Sequence, residues 1–308
     1  MNGEHPAVAA FRASSPALSA GLVGLEAAAS SDSPALVLGE PGTGRSTLAR
    51  LLHGGGRRAA APLVEMDPAT SPASLFESEL FGFRAGAFTG AERSQAGRVA
   101  RAEGGTLILD HVEDLPLVAQ PKLLRLLAER RYAPLGGVDT EAHVRFVAVG
   151  TADLEARVEQ GIFRRDLFHR LEVLTFHLPP LRHRTVDLPH LLRRMLDDLG
   201  ERFGRPDLRL SGSAEEWMRS YGWPGNLRQL RNVLERQMLF APGPLLDPPP
   251  PADHATVEPE TAPSLAAVER GAILAALAAS RGHQGKAAAM LGISRKGLWE
   301  KRRRYGIP

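Results

Sequence analysis

An α/β fold with a parallel sheet covered by helices on both faces, followed by smaller all-helical parts, is predicted from three observations on the 308-residue sequence. Short apolar runs alternate with helical patterns over the first 180 or so residues. Strand signals then stop near His183 while helical periodicity continues. A proline-rich stretch finally separates a basic tail from the rest. Apolar runs bounded by turns and spaced by helical segments are the pattern of strands buried on both faces of a parallel sheet.

Taken in order, Ala35–Leu38, Leu63–Met66, Leu107–Leu109 and Phe146–Val149 read as strands. The helical part follows with Leu188–Phe203, Ala214–Tyr221 and Asn226–Leu239. These elements divide the chain into a short arm (1–12), an α/β domain (13–182), a helical lid (183–240), a linker (241–264) and a terminal helical domain (265–308). The linker has eight prolines in 24 residues and no basic side chain. At about 3.1 Å per residue for extended proline-rich chain it reaches roughly 70 Å.

Charge is distributed unevenly along these parts. Residues 1–240 carry 29 basic and 29 acidic side chains, the linker none and four, and residues 265–308 nine and two. The tail alone is therefore +7, as expected of a neutral body with a nucleic-acid-binding appendage. There are no cysteines, which excludes disulfides, thiol catalysis and cysteine-ligated zinc. No basic-then-apolar leader and no run of 18 apolar residues is present, so a cytoplasmic protein without a membrane span is expected.

After the first strand the chain reads Gly39-Glu40-Pro41-Gly42-Thr43-Gly44-Arg45-Ser46-Thr47 and continues as a helix. This is the spacing of a Walker A loop, in which glycines let backbone N–H groups wrap phosphates at a helix N-terminus. Arg45 stands in the lysine position, and its planar fork is not a compact point charge. The loop by itself fits either a nucleotide site or a tight structural turn. Thr106–Leu109 then leads into Asp110, a carboxylate placed to hold Mg²⁺ with Ser46. His111 follows where hydrolytic sites of this class carry a glutamate. A neutral imidazole can polarise water, but a residue with no part in catalysis fits the spacing equally, and loss of a positioned base costs about 10²–10⁴ in rate.

The segment Glu77–Ala91 reads ESELFGFRAGAFTGA. It resembles the central AAA+ domain of sigma-54-dependent transcriptional activators, the bacterial enhancer-binding proteins, whose GAFTGA signature stands intact at Gly86, Ala87, Phe88, Thr89, Gly90 and Ala91. The resemblance runs from about Ala13 to Pro308. It implies an AAA+ P-loop fold and ATP with Mg²⁺ as cofactors, together with a mobile loop that contacts sigma-54 RNA polymerase and assembly into a hexamer or heptamer ring or a mixed oligomer. It also implies that Gly39, Gly42, Thr43, Gly44, Arg45, Ser46 and Thr47 cradle the phosphates. Arg164 and Arg170, in FRRDLFHRL, become candidate arginine fingers for a neighbour's nucleotide. Thr151 falls in the sensor I region, and Arg228, in WPGNLR, in sensor II.

The departures from that family cluster. Arg45, Asp67 (usually asparagine), His111 and the Gly150-Thr151 pair (usually Thr-Asn) all surround one γ-phosphate. Hydrolysis is therefore expected to be weak or absent while binding and assembly persist. No receiver domain is expected ahead of the AAA+ frame, which leaves control to expression, assembly or a partner. The rival reading is a non-hydrolysing DNA-binding regulator acting as a mixed-oligomer subunit or antagonist.

In the tail, Gly285–Ser294 resembles a Fis-type helix-turn-helix, implying double-stranded DNA upstream of promoters as partner. Ser294 is placed to cap the second helix, with Arg295, Lys296, Glu300 and Arg303 toward the major groove. Lys301, Arg302 and Arg304 are placed to meet phosphates. His169, His177 and His183 have no metal-ligand spacing.

Overall fold

The computed structural model describes residues 6–22 and 24–248, and beyond them only Gln284, Leu298, Lys301 and Arg302. The chain divides into two compact units, Met1–Pro250 and Pro251–Pro308. Ser294, Arg295, Lys296, Glu300, Arg303 and Arg304, expected at DNA, lie outside the described residues.

The first unit is built on five parallel strands, β1 (Ala35–Gly39), β2 (Leu63–Met66), β3 (Thr106–Leu109), β4 (Arg145–Gly150) and β5 (Leu174–Leu178), in the spatial order β2-β3-β4-β1-β5. β1 lies between β4 and the edge strand β5, with Ala35 opposite Val147 on one side and Leu174 on the other. Alternate residues serve opposite faces. Leu36, Leu38, Leu107, Leu109, Phe146 and Ala148 pack with the helices of residues 73–171, whereas Ala35, Val37, Ile108, Val147 and Val149 pack with helices Leu25–Ser30 and Arg45–Gly54. Both faces being covered, the three inner strands carry no polar side chain beyond Thr106 and Arg145 at the starts of β3 and β4, which is why they read as apolar runs.

The fifth strand was not expected. Thr175 and His177 interleave with Leu174, Phe176 and Leu178, and only Phe176 and Leu178 are buried, as suits an edge position. The amino-terminal residues also form helices, at Pro6–Ser14 and Pro16–Gly21. The second of these is anchored by Asp187, a wholly buried carboxylate that accepts the Ala17 and Leu18 amides at 2.7 and 3.1 Å. A second buried ion, Arg145, donates to the carbonyls of Ala28, Ala29 and Leu52 and so joins two helix ends to the start of β4.

Helices Leu188–Phe203, Gly212–Ser220 and Asn226–Phe240 form the lid around Leu191, Met218, Trp223, Leu230 and Leu234. Strands recur here, because Arg209–Leu210 pairs with Leu245–Leu246. Leu246 is fully buried in the lid core, and Trp217 Nε1 donates to the Pro248 carbonyl at 3.0 Å. Residues 241–248, expected to begin the linker, are therefore packed on the lid, since two leucines among the prolines have apolar surface to bury.

Candidate functional site

At the carboxyl end of β1 the loop Glu40–Gly44 turns into helix Arg45–Gly54, whose first amides have no partner within the helix and are free to meet an anion. Gly42 and Gly44 take φ of +79° and +105°, which other L-residues rarely adopt. A Cβ on Gly42 would also come 2.4 Å from the Gly225 carbonyl, so glycine is required there by the approach of the lid.

A cleft of about 280 Å³ opens on this loop. Gly42, Gly44, Arg45, Ser46 and Thr47 line one wall, Asp110 and His111 a second, and Arg228 with Leu227 the lid side. Ser46 Oγ donates to Asp110 Oδ2 at 2.7 Å, so a hydroxyl and a carboxylate meet at the mouth of the P-loop. That donor set suits Mg²⁺, which takes one or two protein oxygens and completes its octahedron with water and phosphate. Among the described residues no group of three or more His, Cys, Asp or Glu is arranged to hold a metal alone.

Other expected site residues lie around or away from the cleft. Gly39 and Thr43 are buried in the turn, where Thr43 Oγ1 donates to the Glu40 carbonyl at 2.8 Å. Thr151 follows β4, and its amide donates to Glu113 Oε2 at 3.3 Å. Arg45 does not extend along the cleft. It is 5% exposed, and Nη1 donates to the Gly150 carbonyl. Arg164 is exposed and paired with Asp166 at 2.7 Å, while Arg170 reaches the Leu127 and Ala128 carbonyls and lines a separate cleft at the amino ends of β1 and β4.

His111 is joined to Asp67. Its Nδ1 lies 3.0 Å from Asp67 Oδ2, and Asp67 Oδ1 accepts the Ala69 amide at 2.9 Å, so the carboxylate is itself fixed. With Nδ1 as the donor to this carboxylate, Nε2 is the ring nitrogen left to face other groups. His111 sits at φ +48°, a left-handed conformation uncommon outside glycine. The two departures at 67 and 111 are thus one contact.

The lid is bonded directly to the P-loop. Arg182 holds Glu40 through two bonds of 2.8 and 2.5 Å and keeps that carboxyl below its usual range, with Asn226 assisting. Asn226 Nδ2 donates to the Pro41 carbonyl at 3.1 Å, the Leu227 amide to the Gly42 carbonyl at 2.9 Å, and Arg184 Nη2 to the Thr43 carbonyl at 2.5 Å. Sequence reasoning assigned no role in this region to Glu40, Arg184, Asn226 or Glu113. Asn226 stood inside a quoted motif, while Arg184 is one of many arginines and carried no local signal.

The GAFTGA loop projects elsewhere. The Gly86 amide donates to the Ala91 carbonyl at 2.8 Å and closes the loop, with Gly86 and Gly90 at φ of +81° and +96°. Ala91 is buried, Phe88 is 41% exposed with its ring 5.0 Å from that of Phe83, and Thr89 is exposed. A hairpin, Arg131–Tyr132 with Thr140–Glu141, supports the base of this loop through Leu135, which exchanges backbone bonds with Gly82 and Arg84 at 2.9 Å.

Comparison with known proteins agrees with this architecture. The sigma-54 interaction domain family matches residues 11–177, the AAA+ ATPase lid domain 182–259, and the Fis family of bacterial regulatory proteins 264–305. The chain is 42% identical over 304 residues to the alginate biosynthesis transcriptional regulatory protein AlgB of Pseudomonas aeruginosa, covering 95% of this chain and 67% of that protein. It is 40% identical over 293 residues to the regulatory protein AtoC of Escherichia coli, covering 90% and 63%. The solved structure of NtrX from Brucella abortus in complex with ADP is similar at 30% identity and a TM-score of 0.69, covering 94% of this chain and 68% of that one. The chain thus spans about two thirds of the length of these relatives. Among the described residues no helix is long and apolar enough to cross a membrane.

Proposed function

Because this chain belongs to the sigma-54-dependent transcriptional regulators, with an AAA+ domain, lid and Fis-type helix-turn-helix, we propose that it is a DNA-tethered regulator that binds Mg²⁺ and ATP, turns ATP over slowly, and contacts sigma-54 through Gly86–Ala91. The observation that carries the contact is the exposed Phe88–Thr89 tip on a loop closed between two left-handed glycines. Bound nucleotide would supply the electrophilic phosphorus, with Mg²⁺ neutralising its oxygens. On this chain's side, the amides after Gly44 receive phosphate, Ser46 and Asp110 take the cation, and Arg228 closes over the lid side. Slow turnover follows from Arg45 resting on Gly150 and from imidazole, not carboxylate, at residue 111.

Arg164 and Arg170 do not line their own chain's cleft, which favours a second reading in which this subunit completes a partner's site in a mixed ring. One set of assays tests both. Purified protein is expected to bind ATP weakly, to hydrolyse it far more slowly than a relative with the usual lysine and glutamate, and to sustain that relative's turnover when mixed with it. Removing residues 265–308 should abolish DNA binding and its dependence on salt while leaving nucleotide binding intact. Brisk hydrolysis by the chain alone would overturn the slow-site reading.

A further inference from the structure

Glu113 has no part in the nucleotide reading, yet it is 5% exposed and lies at the carboxyl end of the sheet beside the cleft. Its neighbour Asp114 turns outward to Arg157 at 3.3 Å, so the burial of Glu113 is particular to that side chain. Glu113 Oε2 accepts the Thr151 amide and stands 3.2 Å from where a Cβ on residue 150 would be. The space it uses exists because Gly150 has no side chain. The carbonyl of the same peptide unit, Gly150 to Thr151, accepts Arg45 Nη1.

One peptide group is therefore held from both sides, by an anion on its N–H and by the P-loop cation on its C=O. A carboxylate on the N–H polarises the peptide and strengthens the carbonyl as an acceptor. Arg45 is the side chain whose position in a P-loop reaches the terminal phosphates. Glu113 thus favours the docked position of the P-loop cation that would meet a γ-phosphate, and its own charge opposes a further anion arriving there. The β-phosphate is held by the loop amides as well, which Glu113 does not touch, and so depends less on that cation.

We propose that Glu113 makes this site selective for a nucleoside diphosphate over the triphosphate. The inference rests on the nucleotide site described above and adds its preferred ligand. ADP and ATP, each with Mg²⁺, are titrated calorimetrically into the full chain and into Glu113→Gln, which keeps an oxygen for the Thr151 amide and nearly the same volume. The wild-type chain should bind ADP more tightly than ATP. In E113Q the ATP affinity should rise about tenfold, the order expected when one charge near an incoming anion is removed, with ADP changed less than about twofold. Equal affinity of the wild type for ADP and ATP, or a parallel shift of both in E113Q, overturns the proposal and leaves the nucleotide site standing. Absence of binding by either nucleotide to either protein removes the site itself and the proposal with it. If E113Q melts before it can be titrated, the wild-type comparison still decides.

Discussion

His111 Nδ1 is hydrogen-bonded to Asp67 Oδ2 at 3.0 Å, joining the residues that follow β3 and β2 into one unit. An imidazole and a carboxylate are compatible there, whereas two carboxylates would repel. Restoring a glutamate at 111 is therefore not a single-site change. His111→Glu alone should cost about 1–2 kcal/mol of stability and give no gain in turnover. Adding Asp67→Asn should recover the stability, and Arg45→Lys on top of both should raise ATP turnover at least about tenfold. Chemical denaturation and steady-state hydrolysis across the series check this, and a gain from His111→Glu by itself would be inconsistent with the paired contact.

Thr89→Ala removes a hydroxyl at the exposed loop tip and touches neither the cleft nor the Phe83–Phe88 contact. Its affinity for sigma-54 should drop about tenfold, the loss expected of one good hydrogen bond, with nucleotide affinity within about twofold of wild type. A pull-down with purified sigma-54 in the presence of a transition-state nucleotide analogue measures the first, and calorimetry the second. Unchanged sigma-54 binding would remove Thr89 from the contact.

Asp187→Ala leaves the Ala17 and Leu18 amides without their buried acceptor. Two orphaned donors should cost about 2–4 kcal/mol, and Asp187→Asn, which keeps one carbonyl oxygen, clearly less. Urea unfolding monitored by tryptophan fluorescence distinguishes the two. Equal stabilities for wild type and Asp187→Ala would mean that the amino-terminal helix is held by its apolar face alone.

His53 is 6% exposed with Nδ1 3.0 Å from Thr106 Oγ1, and burial, with Arg145 nearby, pushes its pKa below the ordinary histidine value. The unfolded chain therefore takes up a proton at a pH where the folded chain does not. Stability contributed by neutral His53 is present above about pH 6.5 and is lost as pH falls below it, until the folded-state pKa is reached. Melting temperatures at pH 7.5, 6.5 and 5.5 should fall more steeply for wild type than for His53→Gln. Parallel curves would show that His53 titrates alike in both states.

Legibility in the sequence followed locality. β1, β3 and β4 were readable because both faces are covered and the runs Ala35–Leu38, Leu107–Leu109 and Phe146–Val149 are apolar. β5 was not, because its edge position admits Thr175 and His177 between the leucines. The P-loop, Asp110 and Gly86–Ala91 are contiguous, so spacing alone exposed them. Asp67 and His111 were each visible as departures, but their bond spans 44 residues and depends on β2 lying beside β3. Arg184 meets Thr43 only after the lid has folded, across 141 residues, and no local pattern encodes that.

Three consecutive P-loop carbonyls, of Pro41, Gly42 and Thr43, are each claimed by a lid residue, and the Glu40 carboxylate by a fourth. Swinging the lid away breaks all of these together, at about 0.5–1.5 kcal/mol for each neutral bond and more for the charged ones. An occupant whose exit required that movement would be held by this concerted rupture as well as by its own contacts. Dwell time and affinity should then be separately adjustable: weakening Arg182 or Arg184 is expected to shorten residence, whereas altering Arg45 is expected to change how tightly the occupant is held. The residues that would set such a dwell time, Arg182 and Arg184, do not themselves line the cleft.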